Sequence, residues 1–598
     1  SSDGHGGITR PEADGHALAM RRAYDLAGYG PDTVGLFEGH GTGTRVGDAA
    51  EVAAISAIRL QAGASSAAAL GSIKANIGHT KAAAGVAGLT KVVMSVHTGV
   101  IPPTTGCEAP MEPLTGPDRM LEIRRAAAPW PEGPPRRASV SAVGFGGINT
   151  HVTIEQASRA VRGRLWAADS AVAGTSQDAE LLPLAALSLG DLAGQCRRMS
   201  AAASELTFGR MSDLAINSGR ELPPGQSARA AVIAKTPAEL ADRCAEIAAR
   251  IEAGGTAHIG PEYAFGAGNS PPRIGYLFSG QGSPVRFTAG ALGRRFIAAA
   301  KIVEAAALDQ GDPHDTSAAQ PAIVTASAAA LAALEEIGVD ACVAVGHSLG
   351  ELAALHWAGV FSRDELVDLA KVRGRAMSAC GPEHGSMAQL NTDESGAREL
   401  MVGLPLTIAA LNAADLTVLS GPEVAVQTLL HRAATRGIPA SPLRVSHAFH
   451  SPLVAASAEA IIAWFGSADS EREPLRPVVS TVTGALLPER IQVARLLADQ
   501  VTAPVLFTTA LEAAAASCDL LIEVGPGRIL ADLAAPAGVP TLTVDAGAEG
   551  IASFLGVAGA AFALGAPVSL ETLVRDRVSF SADPLRRPTY LTNPCELV

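Results

Sequence analysis

The chain has 598 residues, 48% of them apolar and 18% charged, with a formal net charge of −13. That length allows about four domains, each able to bury a core, and the apolar share excludes a disordered chain. An acidic balance without a basic cluster argues against a nucleic-acid partner and requires a local cation wherever an anionic substrate binds.

Seven cysteines (107, 196, 244, 342, 380, 518 and 595) are scattered with no Cys-x-x-Cys. Neither a metal site nor a disulfide framework is expected, and a reducing cytoplasm is the expected location. Ser1–His5 lacks the basic-then-apolar run of a signal peptide. The uncharged stretch Ile551–Leu570 is long enough to span a bilayer, yet it is rich in Ala and Gly and lacks flanking anchors. It is expected to be a buried globular segment, with no membrane partner.

Residues 1–156 read as part of an α/β domain. A strand over 33–37 runs into Glu38-Gly39-His40-Gly41-Thr42-Gly43-Thr44, and a strand over 69–73 enters Lys74-Ala75-Asn76-Ile77-Gly78-His79. A helix is expected from Lys81 to about His97, and two strands flank Gly144-Phe145-Gly146-Gly147. A histidine at the mouth of two strands points to a site at the sheet's carboxyl edge. These stretches resemble the C-terminal half of a ketosynthase from a type I polyketide synthase, whose motifs are His-Gly-Thr-Gly-Thr, Lys-x-Asn-Ile-Gly-His and Gly-Phe-Gly-Gly-x-Asn. The resemblance implies a partial thiolase-like domain, with His40 and His79 as condensation histidines and Lys74 as their support. That family's nucleophilic cysteine belongs to the other half, and no cysteine here has a matching context. This stretch alone is therefore expected not to condense anything.

Residues 157–270 are punctuated by Leu222-Pro223-Pro224-Gly225 and end at a Pro/Gly-rich stretch, 266–272. Strands over 181–187 and 228–234 and helices over 189–203 and 238–253 make a small α/β unit. By resemblance it is the ketosynthase-to-acyltransferase linker.

Residues 271–545 hold the stretch richest in chemistry. An apolar run, Ala341–Val345, leads into Gly346-His347-Ser348-Leu349-Gly350-Glu351 and then a helix. Gly-x-Ser-x-Gly between a strand and a helix is a nucleophile elbow, which lifts Ser348 above the sheet. Upstream, a strand over 274–278 enters Gly280-Gln281-Gly282, whose glycines let the Gln281 backbone approach a ligand. A βαββαβ order between about 386 and 446 predicts an inserted ferredoxin-like subdomain, with the substrate cleft between it and the larger part. After it come His447-Ala448-Phe449-His450 and the apolar run 521–524 ending in Gly525-Pro526-Gly527.

Together these stretches resemble the malonyl-CoA:acyl-carrier-protein acyltransferases of polyketide synthases. The resemblance implies an α/β-hydrolase-like large subdomain with Ser348 as acyl acceptor and His450 as general base. Backbone N–H groups of Gln281 and Leu349 would form the oxyanion hole, and Arg373 would clamp the carboxylate of the acyl group. His447, Phe449 and Leu349 fit a family form that takes malonyl over methylmalonyl, and Asn412 supports the site. Pro284 stands where the family usually has Gln. The implied substrate is malonyl-CoA, the acceptor is a phosphopantetheine thiol on an acyl carrier protein, and no metal or bound cofactor is required. Residues 546–598 resemble the post-acyltransferase linker, which folds back over the preceding domains.

The absent ketosynthase half and following domains imply part of a larger synthase, most like the iterative enediyne type. Such synthases dimerise through the ketosynthase. Two other readings compete: a serine hydrolase or thioesterase on the same elbow, and a non-catalytic docking scaffold. The hydrolase requires an acid orienting His450, and none lies near it in the sequence.

Overall fold

The computed structural model describes residues 12–131, 135–144, 147–156, 177–222, 225–268, 270–309, 311–380, 385–579 and 583–585. Phe145-Gly146, Pro223-Pro224, Cys595 and the tail 588–594 lie outside the described residues. The chain divides into two compact units, 1–166 and 167–598.

In the first unit a five-stranded sheet runs in the order Leu121–Glu122, Ala68–Gly71, Leu36–Glu38, Arg137–Gly144, Ile148–Glu155. Four strands are parallel and the last is an antiparallel hairpin partner. Side chains alternate along Leu36–Glu38 as a pleated strand requires. Phe37 joins a core with Met20, Ile55 and Ile58 from helices Ala13–Ala27 and Arg45–Gln61. Leu36 joins another with Val92 and Val96 of helix Ala84–Thr98. The strand expected over 33–37 starts later because Pro31–Thr33 forms a 3-10 turn. The Ala/Gly-rich start of helix Ala84–Thr98 packs closely on the sheet: a Cβ on Gly88 would stand 3.0 Å from Glu38 Cγ.

The second unit opens with an antiparallel sheet ordered His258–Ile259, Tyr263–Ala267, Ala228–Ala234, Glu180–Ala186. Helices Leu189–Ala203 and Pro237–Glu252, each N-capped by a hydroxyl (Ser188, Thr236), cover one face through Leu192, Cys196, Leu240 and Ile247. Helix Ala552–Leu564, within the uncharged stretch Ile551–Leu570, covers the other. Gly559 lies against Ala231, Ile233 and Leu181, so the tail folds back onto this sheet. Strand Tyr263–Ala267 occupies a stretch expected to begin the boundary. Gly266 is there because the Ala563 carbonyl comes within 3.1 Å of where its Cβ would stand, and not because the strand breaks.

The rest is a parallel sheet ordered Val478–Val479, Val343–Gly346, Ile274–Phe278, Leu520–Val524, Thr541–Thr543. Its central strand is buried at every position, as a parallel strand covered on both faces must be. Among the described residues one helix, Thr316–Glu336, is long and apolar enough to cross a membrane; it is buried, with Ile323, Ala330 and Leu334 in the core. The insert is antiparallel, ordered Thr407–Ala413, Leu416–Pro422, Gly385–Leu390, Ala440–Pro442, with helices Glu394–Met401 and Glu423–Thr435. That is the expected ferredoxin-like order. Its helices cover the face bearing Ala388, Leu390 and Leu419, leaving Met387, Gln389 and Asn412 to face a cavity.

Candidate active site

Two glycines shape the elbow. A Cβ on Gly350 would stand 2.0 Å from the Phe278 carbonyl oxygen, and one on Gly346 2.3 Å from Glu351 N. Between them Ser348 has φ 50, and its partner His450 has φ 57. A non-glycine residue in that region is strained, and strain held by its surroundings concentrates at functional sites.

Ser348 Oγ and His450 Nε2 are 2.8 Å apart. On the other side of the ring, His450 Nδ1 faces the carbonyls of Gln500 at 3.1 Å and Ala503 at 2.9 Å. Carbonyls only accept, so Nδ1 carries the proton and the Nε2 lone pair accepts the Ser348 hydroxyl. No carboxylate takes part in orienting the ring among the described residues. Burial, and secondarily the charge of Arg373, pushes the His450 pKa down to about 3. The imidazole is thus neutral and ready to take a proton at ordinary pH.

Arg373 lies on helix Arg363–Ser378, which begins with a Ser362–Glu365 capping box. Its side chain is 3% exposed and lines the same cavity of about 250 Å³ as Ser348, His450 and Phe449. Nη2 donates to Gln500 Oε1 at a long 3.4 Å, while among the described residues Nε has no protein partner. Burial draws its pKa down to about 10, opposed by Glu351, so the guanidinium stays charged at neutral pH.

The loop after Ile274–Phe278 lies directly on the elbow, since a Cβ on Gly280 would stand 2.6 Å from the His347 carbonyl oxygen. Among the described residues no protein acceptor takes the backbone N–H of Gln281 or of Leu349. The Gln281 side chain is fixed on both sides: Nε2 donates to Thr316 Oγ1 and Oε1 accepts from Gln320, each at 2.9 Å. Asn412 Oδ1 accepts from His347 Nε2 at 2.8 Å, bracing the residue before the nucleophile.

Two expected residues stand differently. His447 is half-buried and absent from the cavity lining; its Nδ1 bonds to Ser446 Oγ at 2.9 Å. The preceding strand stops at Pro442, leaving His447 on the connecting loop, so only Phe449 of that pair faces the cavity. The Leu349 side chain is fully buried in the core below the elbow. Pro284 packs on the Gly525-Pro526-Gly527 turn: a Cβ on Gly527 would stand 2.7 Å from its Cδ. Sequence reasoning placed His347 in the elbow motif without its bond to Asn412 and missed Gln500, which carries no recognisable spacing.

In the first unit His40 and His79 do come together, their rings edge-to-face at 5.6 Å. His40 Nδ1 accepts from Val143 N at 3.3 Å. Burial and the nearby Lys74 push His40 down to about 4. Lys74 opens a short helix and is itself shifted down by burial.

Residues 1–108 match the family described as beta-ketoacyl synthase, C-terminal domain, and residues 275–534 match the acyl transferase domain family. A solved structure, the acyltransferase domain of the iterative polyketide synthase in enediyne biosynthesis, is 36% identical with a TM-score of 0.58, covering 65% of this chain and 97% of that one. The chain belongs to the type I polyketide synthase family. Polyketide synthase GfsB of Streptomyces halstedii is 33% identical over 88% of this chain, and the spectinabilin polyketide synthase system protein NorB of Streptomyces orinoci 31% over 88%. The chain spans 10% and 25% of those two relatives' lengths. Within this synthase chain, residues 275–534 are an acyltransferase, preceded by the C-terminal part of a ketosynthase.

Proposed function

We propose that the acyltransferase loads a malonyl unit from malonyl-CoA through an ester on Ser348 and passes it to the phosphopantetheine thiol of an acyl carrier protein. The observation that carries this reading is one cavity holding a serine–histidine pair and, among the described residues, a buried guanidinium with open donors. A substrate with a reacting carbonyl at one end and a carboxylate at the other satisfies both.

Ser348 Oγ attacks the thioester carbonyl while its proton passes to His450 Nε2. The Gln281 and Leu349 N–H groups stabilise the oxyanion, and the helix beginning at Gly350 places its positive end there. Collapse breaks the carbon–sulfur bond, and the leaving CoA sulfur takes the proton from His450. The carrier thiol then attacks the ester by the same steps in reverse, regenerating Ser348. A resident metal or cofactor has no part in these steps. Phe449 fills the space an α-methyl branch requires, which supports malonyl over methylmalonyl.

A neutral carbonyl pair behind His450 disfavours the hydrolase reading, because a carboxylate there would stabilise the imidazolium through each turnover. His40 and His79 lie close together without a cysteine in a matching context, so this part of the ketosynthase is proposed to be inactive by itself. Its remaining half and the other synthase domains are the expected partners.

Intact mass after mixing with malonyl-CoA tests the reading. A persistent malonyl adduct is expected on the wild type and none on Ser348→Ala. Arg373→Ala should lose its preference for malonyl over acetyl by at least tenfold. Rapid loss of the adduct to free malonate without a carrier protein would favour hydrolysis and overturn the reading.

A further inference from the structure

Beneath the nucleophile lies a buried polar chain that the steps above do not use. Glu351, in the first turn of the elbow helix, is fully buried, and its Oε2 accepts from Gln500 Nε2 at 2.8 Å and Thr481 Oγ1 at 3.2 Å. The same Gln500 nitrogen donates to the Ser348 carbonyl at 3.1 Å, while Gln500 Oε1 faces Arg373 Nη2 at 3.4 Å. One amide therefore stands between a buried carboxylate and a buried guanidinium. Direct contact would close them into a forked pair and turn two of the five donors of Arg373 away from the cavity. Instead, among the described residues, Arg373 keeps a single long hydrogen bond and its Nε is unpartnered. A buried charge so poorly satisfied persists only with a compensating charge nearby. Glu351 is the acid that acts on Arg373, against the effect of burial; burial also pushes the Glu351 carboxyl up, opposed by its hydrogen bonds from Gln500 and Thr481 and by the Arg373 charge.

We propose that Gln500 is a positioning residue that keeps Glu351 and Arg373 one amide apart, so that the acid sustains the guanidinium while its donors stay open for the distal carboxylate of the acyl group. This rests on the dicarboxylic acyl reading above. Selectivity for such acyl groups then depends on the separator as well as on the arginine. An acid at position 500 would close on Arg373 directly, and an apolar side chain would remove the separator at similar volume.

The test compares acylation of Ser348 by malonyl-CoA and acetyl-CoA in wild type, Gln500→Glu and Gln500→Met, with thermal melts to establish folding. The malonyl-to-acetyl ratio of kcat/KM is expected to fall at least tenfold in both variants, chiefly through a raised KM for malonyl-CoA. A ratio within threefold of wild type in whichever variant folds overturns the proposal. A parallel loss of both acyl groups overturns it too, since that would mark Gln500 as acting only through the carbonyl behind His450. Absence of malonyl preference in the wild type itself would instead defeat the functional reading.

Discussion

His450 is held neutral by its surroundings, and that has a measurable price in acid. A free imidazole titrates near 6.5, whereas His450 is pushed down to about 3. Between those values the unfolded chain binds a proton that the folded chain refuses, so stability falls as pH drops from about 6.5 towards 3. For this group the slope is on the order of 1 kcal/mol per pH unit. Thermal melts should show that slope in wild type and a shallower one in His450→Gln. Acylation should stay flat from pH 8 to about 5 and then fail with the fold, not with titration of the base; a midpoint near 6.5 would contradict this. Phe449→Ala should narrow the malonyl-to-methylmalonyl ratio about tenfold by opening space for the branch, checked by competition labelling. At this scale Ser348, His450 and Arg373 were legible because each sits in a motif with fixed spacing. Gln500 was not, because it works through one amide and one backbone carbonyl, and neither leaves a pattern along the chain.

Elements were legible in proportion to their length and periodicity. The insert's βαββαβ order could be read because each piece alternates or repeats over several residues, and the structure moves the ends by a few positions. Val478–Val479 and Thr541–Thr543 escaped because two or three residues carry no period, yet they are the edges of the parallel sheet. The glycines of the elbow are a different case, since their need comes from contacts across the sheet. Gly350→Ala would drive a methyl group into the Phe278 carbonyl, and should cost several kcal/mol or displace the central strand. A melt within a few degrees of wild type, with Ser348 still labelled by malonyl-CoA, would show that the turn can relax.

In the second unit the tail helps hold the molecule together. Arg577 and Glu180 form a two-bonded pair at 2.6 Å for each bond, with side chains only 2% and 5% exposed. Arg295 adds hydrogen bonds to the carbonyls of Thr572 and Leu573. Removing one member of a buried pair leaves the other uncompensated, at about 3–5 kcal/mol. Arg577→Ala should therefore lower the denaturant midpoint of the second unit strongly, whereas Arg250→Ala, from an exposed pair with Glu246, should scarcely move it. The order of segments along the chain was readable here, but the return of the last segment onto the first sheet rested on resemblance alone. Non-local packing of that kind is written in no window of sequence.

Helix Ala552–Leu564 is buried along nearly its whole length against strands that lie some three hundred residues earlier in the chain. Anyone exchanging this acyltransferase between synthases must therefore carry both flanks with it. A cassette trimmed to 271–545 would set residues such as Phe296, which packs edge-to-face on Phe554 of this helix, against a helix of the host's sequence, while one running from 177 to 579 would travel with its own cover.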